Sequence, residues 1–199
     1  SNENLGGIID SDYDILTARS SDNGASWSVP AALNTNASSD TGSDYWPPVV
    51  KTNRSGVWIA VWPSNDDLGI TIGTDRDILF ARSTNNGTTW SSPAAIDAGA
   101  SSDSGTDDRV NMAYEDGVFV ALWQSDDGAA GPDFEIKLSR STDGGLSWSS
   151  PTTLTSNSAD DTFPTIASDG LGNWVAVWES DEALVGGDGD LFVSRSTDA

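Results

Sequence analysis

A frame of Ser-x-Asp/Asn-x-Gly-x-x-Trp recurs along this chain, as "SSDNGASWSV" from Ser20, "STNNGTTWSS" from Ser83 and "STDGGLSWSS" from Ser141, and "STDA" from Ser196 begins another copy. Repetition of this kind constrains the fold more than any single motif. One repeat cannot bury its apolar face alone, so neighbouring repeats must stack on it. The residues before each frame repeat too: "DYDILTARS", "DRDILFARS", "DFEIKLSRS" and "DGDLFVSRS" align. Upstream of the last three stand "GVWIAVWPSND", "GVFVALWQSDD" and "NWVAVWESDE". The interval shortens from 63 to 58 to 55 residues, a variation that belongs in loops.

Each unit reads as four strands. The first has a Pro or small residue near its start, as in Pro47–Val50. The second is apolar on both faces, with Trp58, Ala60 and Trp62 on one side and Val57, Ile59 and Val61 on the other, so it belongs between stacked sheets. The third spans Asp77–Ser83, and the fourth follows Trp90 into "SSPAAI". No helical periodicity persists. Four short strands per unit of about 40 to 60 residues predict propeller blades. The expected architecture is all-β, a single β-propeller domain of four-stranded antiparallel blades over 1–199. Complete blades fall at about 45–97 and 108–155, and partial ones at 1–35 and 163–199.

The repeated frame resembles the Asp-box of the sialidase-like (BNR-repeat) β-propellers, and the resemblance covers the whole chain. It implies about half of a six-bladed ring, with the remaining blades in a longer chain or, as the alternative, supplied by self-association. It also implies a structural turn between the third and fourth strands, formed by Ser20, Asp22, Gly24 and Trp27, by Ser83, Asn85, Gly87 and Trp90, and by Ser141, Asp143, Gly145 and Trp148. The residue types agree. A short side-chain oxygen accepts backbone N–H groups across a turn, Gly permits positive φ, and the Trp can pack beneath. Asn85 in place of Asp suits hydrogen bonding better than catalysis.

The chain has no Cys and no His, which excludes disulfides, thiolate chemistry and every His-based nucleophile arrangement. Its 31 acids against nine basic residues give a net charge of -22, so nucleic acid and anionic membranes are poor partners. No apolar run approaches the ~18 residues of a membrane helix. In an up-and-down blade, alternate loops lie on opposite faces. Only Asp22, Glu115, Asp116, Asp143, Asp169 and Asp198 fall on the face of the repeated turns, and the remaining 25 acids lie on or beside the opposite loops.

Such density invites a cation. The pairs Asp12/Asp14, Asp75/Asp77, Asp133/Glu135 and Asp188/Asp190 recur once per blade at an i, i+2 spacing that puts both side chains on one strand face. Hard carboxylate oxygens suit Ca2+, and no organic cofactor is expected. The alternative is that one acid of each pair meets the recurrent arginine (Arg19, Arg82, Arg140, Arg195) or caps a turn.

The family resemblance implies a candidate activity, removal of terminal sialic acid by three arginines, a Tyr nucleophile assisted by Glu, and an Asp acid/base. The match fails residue by residue. Four of the seven arginines are repeat residues, and Arg54 lies on the turn face. Only Arg109, in "DRVNMA", and Arg76 remain as weak catalytic candidates, while Tyr114-Glu115 lie toward the turn face. Tyr13, Tyr45, Trp46 and Phe134 depart from the core repeat near the acidic face and are the candidate ligand contacts. The expected function is therefore a non-catalytic module of a secreted or cell-surface bacterial protein. It would act in recognition or scaffolding, with a glycan or protein partner at the acidic face. A sialidase-type exo-glycosidase and a purely structural repeat array are the alternatives.

Overall fold

The computed structural model describes residues 9, 12–40, 42–127, 133–182 and 189–197. Among the described residues, thirteen strands form four antiparallel sheets in chain order. The first pairs β1 (Leu16–Thr17) with β2 (Ala31–Ala32). The second runs β3 (Val49–Thr52), β4 (Trp58–Ser64), β5 (Asp77–Ser83) and β6 (Ala94–Ala95). The third runs β7 (Asp107–Glu115), β8 (Val118–Ser125), β9 (Glu135–Ser141) and β10 (Thr152–Thr153). The fourth holds β11 (Asp161–Ser168), β12 (Trp174–Ser180) and β13 (Asp190–Ser196). No helix of the described residues is long and apolar enough to cross a membrane.

The outermost strands are shorter than the apolar pattern after Trp90 suggests. Ser91 N–H still reaches the Arg82 carbonyl at 2.8 Å, but Pro93 then interrupts the ladder, and pairing resumes only at Ala94 and Ala95. Proline has no N–H to donate, and an edge strand tolerates that loss. The same break falls at Pro151, between the Ser149–Arg140 bond and β10.

The second strands are buried on both faces, because each lies between two sheets. Trp62 and Trp123 are fully enclosed. Between the second and third sheets, Ile59, Val61, Ile78 and Ile96 pack on Val110, Met112, Phe119 and Trp123. Leu33 packs on Trp62 and Leu79 at the first junction, and Leu122 and Ile136 on Ala176 and Trp178 at the third. Truncating either enclosed Trp to Ala would cost about 3–5 kcal/mol. Among the described residues no sheet covers the outer face of the fourth, and Val175, Leu191 and Val193 are exposed there. Strands β3, β7 and β11 touch in succession and form the innermost row.

The repeated turns share one hydrogen-bond pattern. Ser141 Oγ donates to Asp143 Oδ1 at 2.9 Å and accepts Gly145 N–H at 2.8 Å, while Asp143 accepts the Ser147 N–H and hydroxyl. Asp22 does the same with Ser20 and Ser26. In the middle copy Asn85 accepts Thr89 N–H, and its amide donates to the Thr89 hydroxyl. The amide works there because the hydroxyl of Thr89 accepts instead of donating. Gly145 has φ +80°, and any Cβ there would strike Ile59 of the preceding sheet. Trp148 meets Phe80 edge-on, again across the junction, whereas no described sheet precedes Trp27, which is 66% exposed. The recurrent arginines belong to this turn end of the sheets. Arg19 and Arg82 bind the backbone of the next turn, at Asn86 and Gly144. They do not pair with the repeated acids.

Candidate functional site

At the end of the sheets opposite the turns, the first strands carry a second repeated feature. Trp46, Arg109 and Phe163 each stand two residues after a buried acid, Asp44, Asp107 and Asp161. Strands β7 and β11 slip register between Asp108 and Asn111 and between Thr162 and Thr165. At those bulges Arg109 and Phe163 take φ of +55° and +54°. A bulge re-aims a side chain, and left-handed backbone at a non-glycine residue stores strain of order 1–3 kcal/mol, which gathers at functional sites.

The result is an arc. The Arg109 guanidinium lies 5.5 Å from the Trp46 ring centre and 5.0 Å from that of Phe163, both within cation–π range. Trp46 and Phe163 are 72% and 55% exposed, so their remaining surface faces solvent. Gln124 helps set the bend by accepting the Phe163 N–H at 3.1 Å. Beside the arc, Arg76 covers the Tyr45 ring at 3.9 Å and pairs with Asp108 at 2.7 Å.

Of the residues singled out in the sequence, the structure gathers Tyr45, Trp46, Arg76 and Arg109. Tyr13 joins their loop through its backbone, its carbonyl accepting Asp44 N–H, with an exposed ring. Phe134 sits elsewhere, half-buried and held by Asp160 and Asp161. Phe163 was missed, although its place two residues after Asp161 matches that of Trp46 and Arg109. Tyr114 and Glu115 are structural: the Tyr114 hydroxyl accepts Gly117 N–H, and Glu115 accepts Gly172 N–H across the third junction.

The acidic pairs lie at the outer loops of the same end. Asp12 and Asp14 converge with Asp40, and Asp75 and Asp77 with Asp103; in each set one oxygen per residue lies within 4.8 Å of the others. Asp40 and Asp103 come from the linker to the next sheet and were not singled out in the sequence. Asp133 and Glu135 have no such third acid among the described residues. Asp190 begins β13, and Asp188 lies outside the described residues.

The field in these loops is severe. Burial, then Asp103, Asp75, Asp97 and Asp127, pushes Asp77 up to about 8. Burial, then Asp66, Asp12 and Asp14, pushes Asp40 up to about 7. Asp127 is held low: burial acts to raise it, but hydrogen bonds from Lys137 and Ser125, together with the Lys137 charge, outweigh that effect.

No protein-family model matches the sequence, and no curated protein matches it. Among solved structures, the Hadza microbial sialidase Hz136 aligns with 91% of this chain at a TM-score of 0.58 and 20% identity. The sialidase-like propeller fold is shown. The Penicillium chrysogenum alpha-L-arabinanase complexed with arabinobiose aligns over 92% of the chain (TM-score 0.52, 13% identity). The endo-arabinase from Bacteroides thetaiotaomicron VPI-5482 aligns over 91% (TM-score 0.52, 17% identity). The chain spans 38% of the sialidase and 56% and 64% of the two arabinan enzymes. At these identities the propeller likeness is one of fold.

Proposed function

We propose that this propeller segment recognises a neutral glycan on its axial face, as a non-catalytic module of a secreted or cell-surface protein. The observation that carries the reading is the arc of Trp46, Arg109 and Phe163. Two exposed rings held by one guanidinium form a rigid platform at low entropic cost, the type of surface on which a sugar's C–H face stacks. The net charge of -22 disfavours anionic sugars. Structural neighbours named as glycosidases support a carbohydrate ligand by fold analogy alone.

The second reading is a glycoside hydrolase, favoured by the position of Arg109 at the start of a first strand. Against it, the arc holds Arg109 with Arg76 beside it, and Asp108, next to Arg109, is already paired with Arg76. The test is a glycan panel of neutral and sialylated oligosaccharides, run beside fluorogenic sialoside and arabinoside substrates. Binding of neutral glycans, weakened about tenfold by Trp46→Ala or Phe163→Ala (~1.4 kcal/mol), with no turnover, is the expected result. Release of fluorophore that disappears in Arg109→Ala would replace this reading with the hydrolase.

A further inference from the structure

We propose that the first and second blade junctions are divalent-cation sites suited to Ca2+, one built on Asp12, Asp14 and Asp40 and the other on Asp75, Asp77 and Asp103. In each, two acids precede or open the third strand of one blade, and the third comes from the linker to the next. An ion bound there ties a blade to its successor.

Acid density alone would not support this, since carboxylates on a surface are normally solvated. Here Asp14, Asp40 and Asp77 are buried, and Asp12, Asp75 and Asp103 are half-buried. Asp77 is 2% exposed, and its Oδ2 is buried without a hydrogen-bond donor while its carboxylate joins those of Asp75 and Asp103. Asp40 is 7% exposed, and its Oδ1 is likewise buried without a donor. A buried carboxylate oxygen with no partner is strongly unfavourable unless a cation satisfies it or it takes up a proton. Two junctions present the same arrangement at matching positions.

The linkers explain why. Leu33 to Asp44 and Ile96 to Asp107 are each 11 residues apart, and both linkers carry a Gly two residues after the third acid. Any Cβ on Gly42 would collide with the backbone of Asp66, and any on Gly105 with Asp127. Close backbone contact with the next blade thus fixes where Asp40 and Asp103 sit. From Leu154 to Asp161 the linker is only seven residues, and no acid stands where Asp40 and Asp103 do.

The donor set selects the ion. Every ligand is a hard oxygen, with no His or Cys in the chain, which disfavours zinc and copper. Oxygens within 4.8 Å of one another are spanned by Ca2+ at about 2.3–2.6 Å per ligand. Mg2+ requires about 2.0–2.1 Å and near-ideal octahedral geometry, which acids drawn from two blades are poorly placed to supply.

The experiment is a calcium titration of the decalcified chain at physiological salt, by calorimetry and by thermal melting, with Mg2+ in parallel. Two ions per chain are expected, one in Asp77→Asn, one in Asp40→Asn and none in the double variant, with Mg2+ at least tenfold weaker. In chelator, Asp77→Asn should melt at or above the parent temperature, because it removes a buried carboxyl that must otherwise take up a proton or carry a charge with no donor. It should also lose its share of the calcium-induced rise. No saturable calcium binding, or two ions retained by the double variant, overturns the proposal. So does an equal response to Mg2+.

Discussion

Arg82 donates its Nε–H to the carbonyl of Gly144 at 2.6 Å, so the third strand of one blade grips the turn of the next. Arg19 makes the equivalent bond to Asn86 at 2.7 Å. A hydrogen bond from a charged donor contributes about 1.5–3 kcal/mol when partly shielded from water. Arg82→Lys should therefore lower stability by about 1.5–3 kcal/mol in urea unfolding, because Lys cannot reproduce the planar Nε–H. Arg19 is exposed, and its replacement should cost less.

The repeated turns make a prediction about acid. Asp143 lies well below the usual carboxylate range, chiefly because the Ser147 hydroxyl and N–H bond to its charged form, and Asp22 is lowered to about 2 by the same contacts from Ser26. A depressed folded value means stability is fully present above the unfolded pKa near 4 and is lost as pH falls through the folded one. Melting temperature should drop between about pH 4 and 2. Asp143→Asn should flatten that limb, since Asn85 shows that an amide completes the turn by donating to its neighbour's hydroxyl. An unchanged acid limb in Asp143→Asn would assign the loss to other carboxylates.

Blade order, the third strand Asp77–Ser83 and the turn geometry were legible because each rests on local periodicity or on a hydrogen bond between residues two to four apart. The arc was half legible. Trp46 stood out as a departure from the core repeat and Arg109 as an arginine outside the repeated strand ends, but their meeting depends on bulges in β7 and β11, which no alternation of apolar residues reveals. Asp40 and Asp103 were hidden for a related reason. They reach the Asp pairs across a linker, so the residues that converge are 26 and 28 apart in sequence, Asp14 to Asp40 and Asp75 to Asp103.

Strain at the arc separates binding from stability. Arg109 holds φ +55° without a glycine's freedom. Arg109→Gly should leave stability within about 1 kcal/mol of the parent or raise it, because the relieved strain offsets the lost contacts and added chain entropy. Glycan binding should nevertheless fall, since the two rings lose the guanidinium between them. A variant that unfolds instead would show that Arg109 holds the inner strands together.

Lys137 provides the last prediction, and it distinguishes the two proposed cation sites. Its ammonium pairs with Asp127 inside the second junction, with side-chain exposures of 11% and 13%, and partly offsets the burial that pushes Asp107 well above its usual range. Strand register puts Leu79 at the same place in the preceding blade, where no lysine neutralises Asp66. Lys137→Leu should therefore convert the second site to the character of the first. In chelator, the uncompensated Asp127 should cost about 3–5 kcal/mol. In calcium much of that loss should return, because the ion supplies the missing positive charge beside Asp103 and Asp127. Urea unfolding with and without calcium measures the difference. A loss of equal size in both conditions would mean that Lys137 acts on Asp127 and Asp107 alone, with no ion sharing their field.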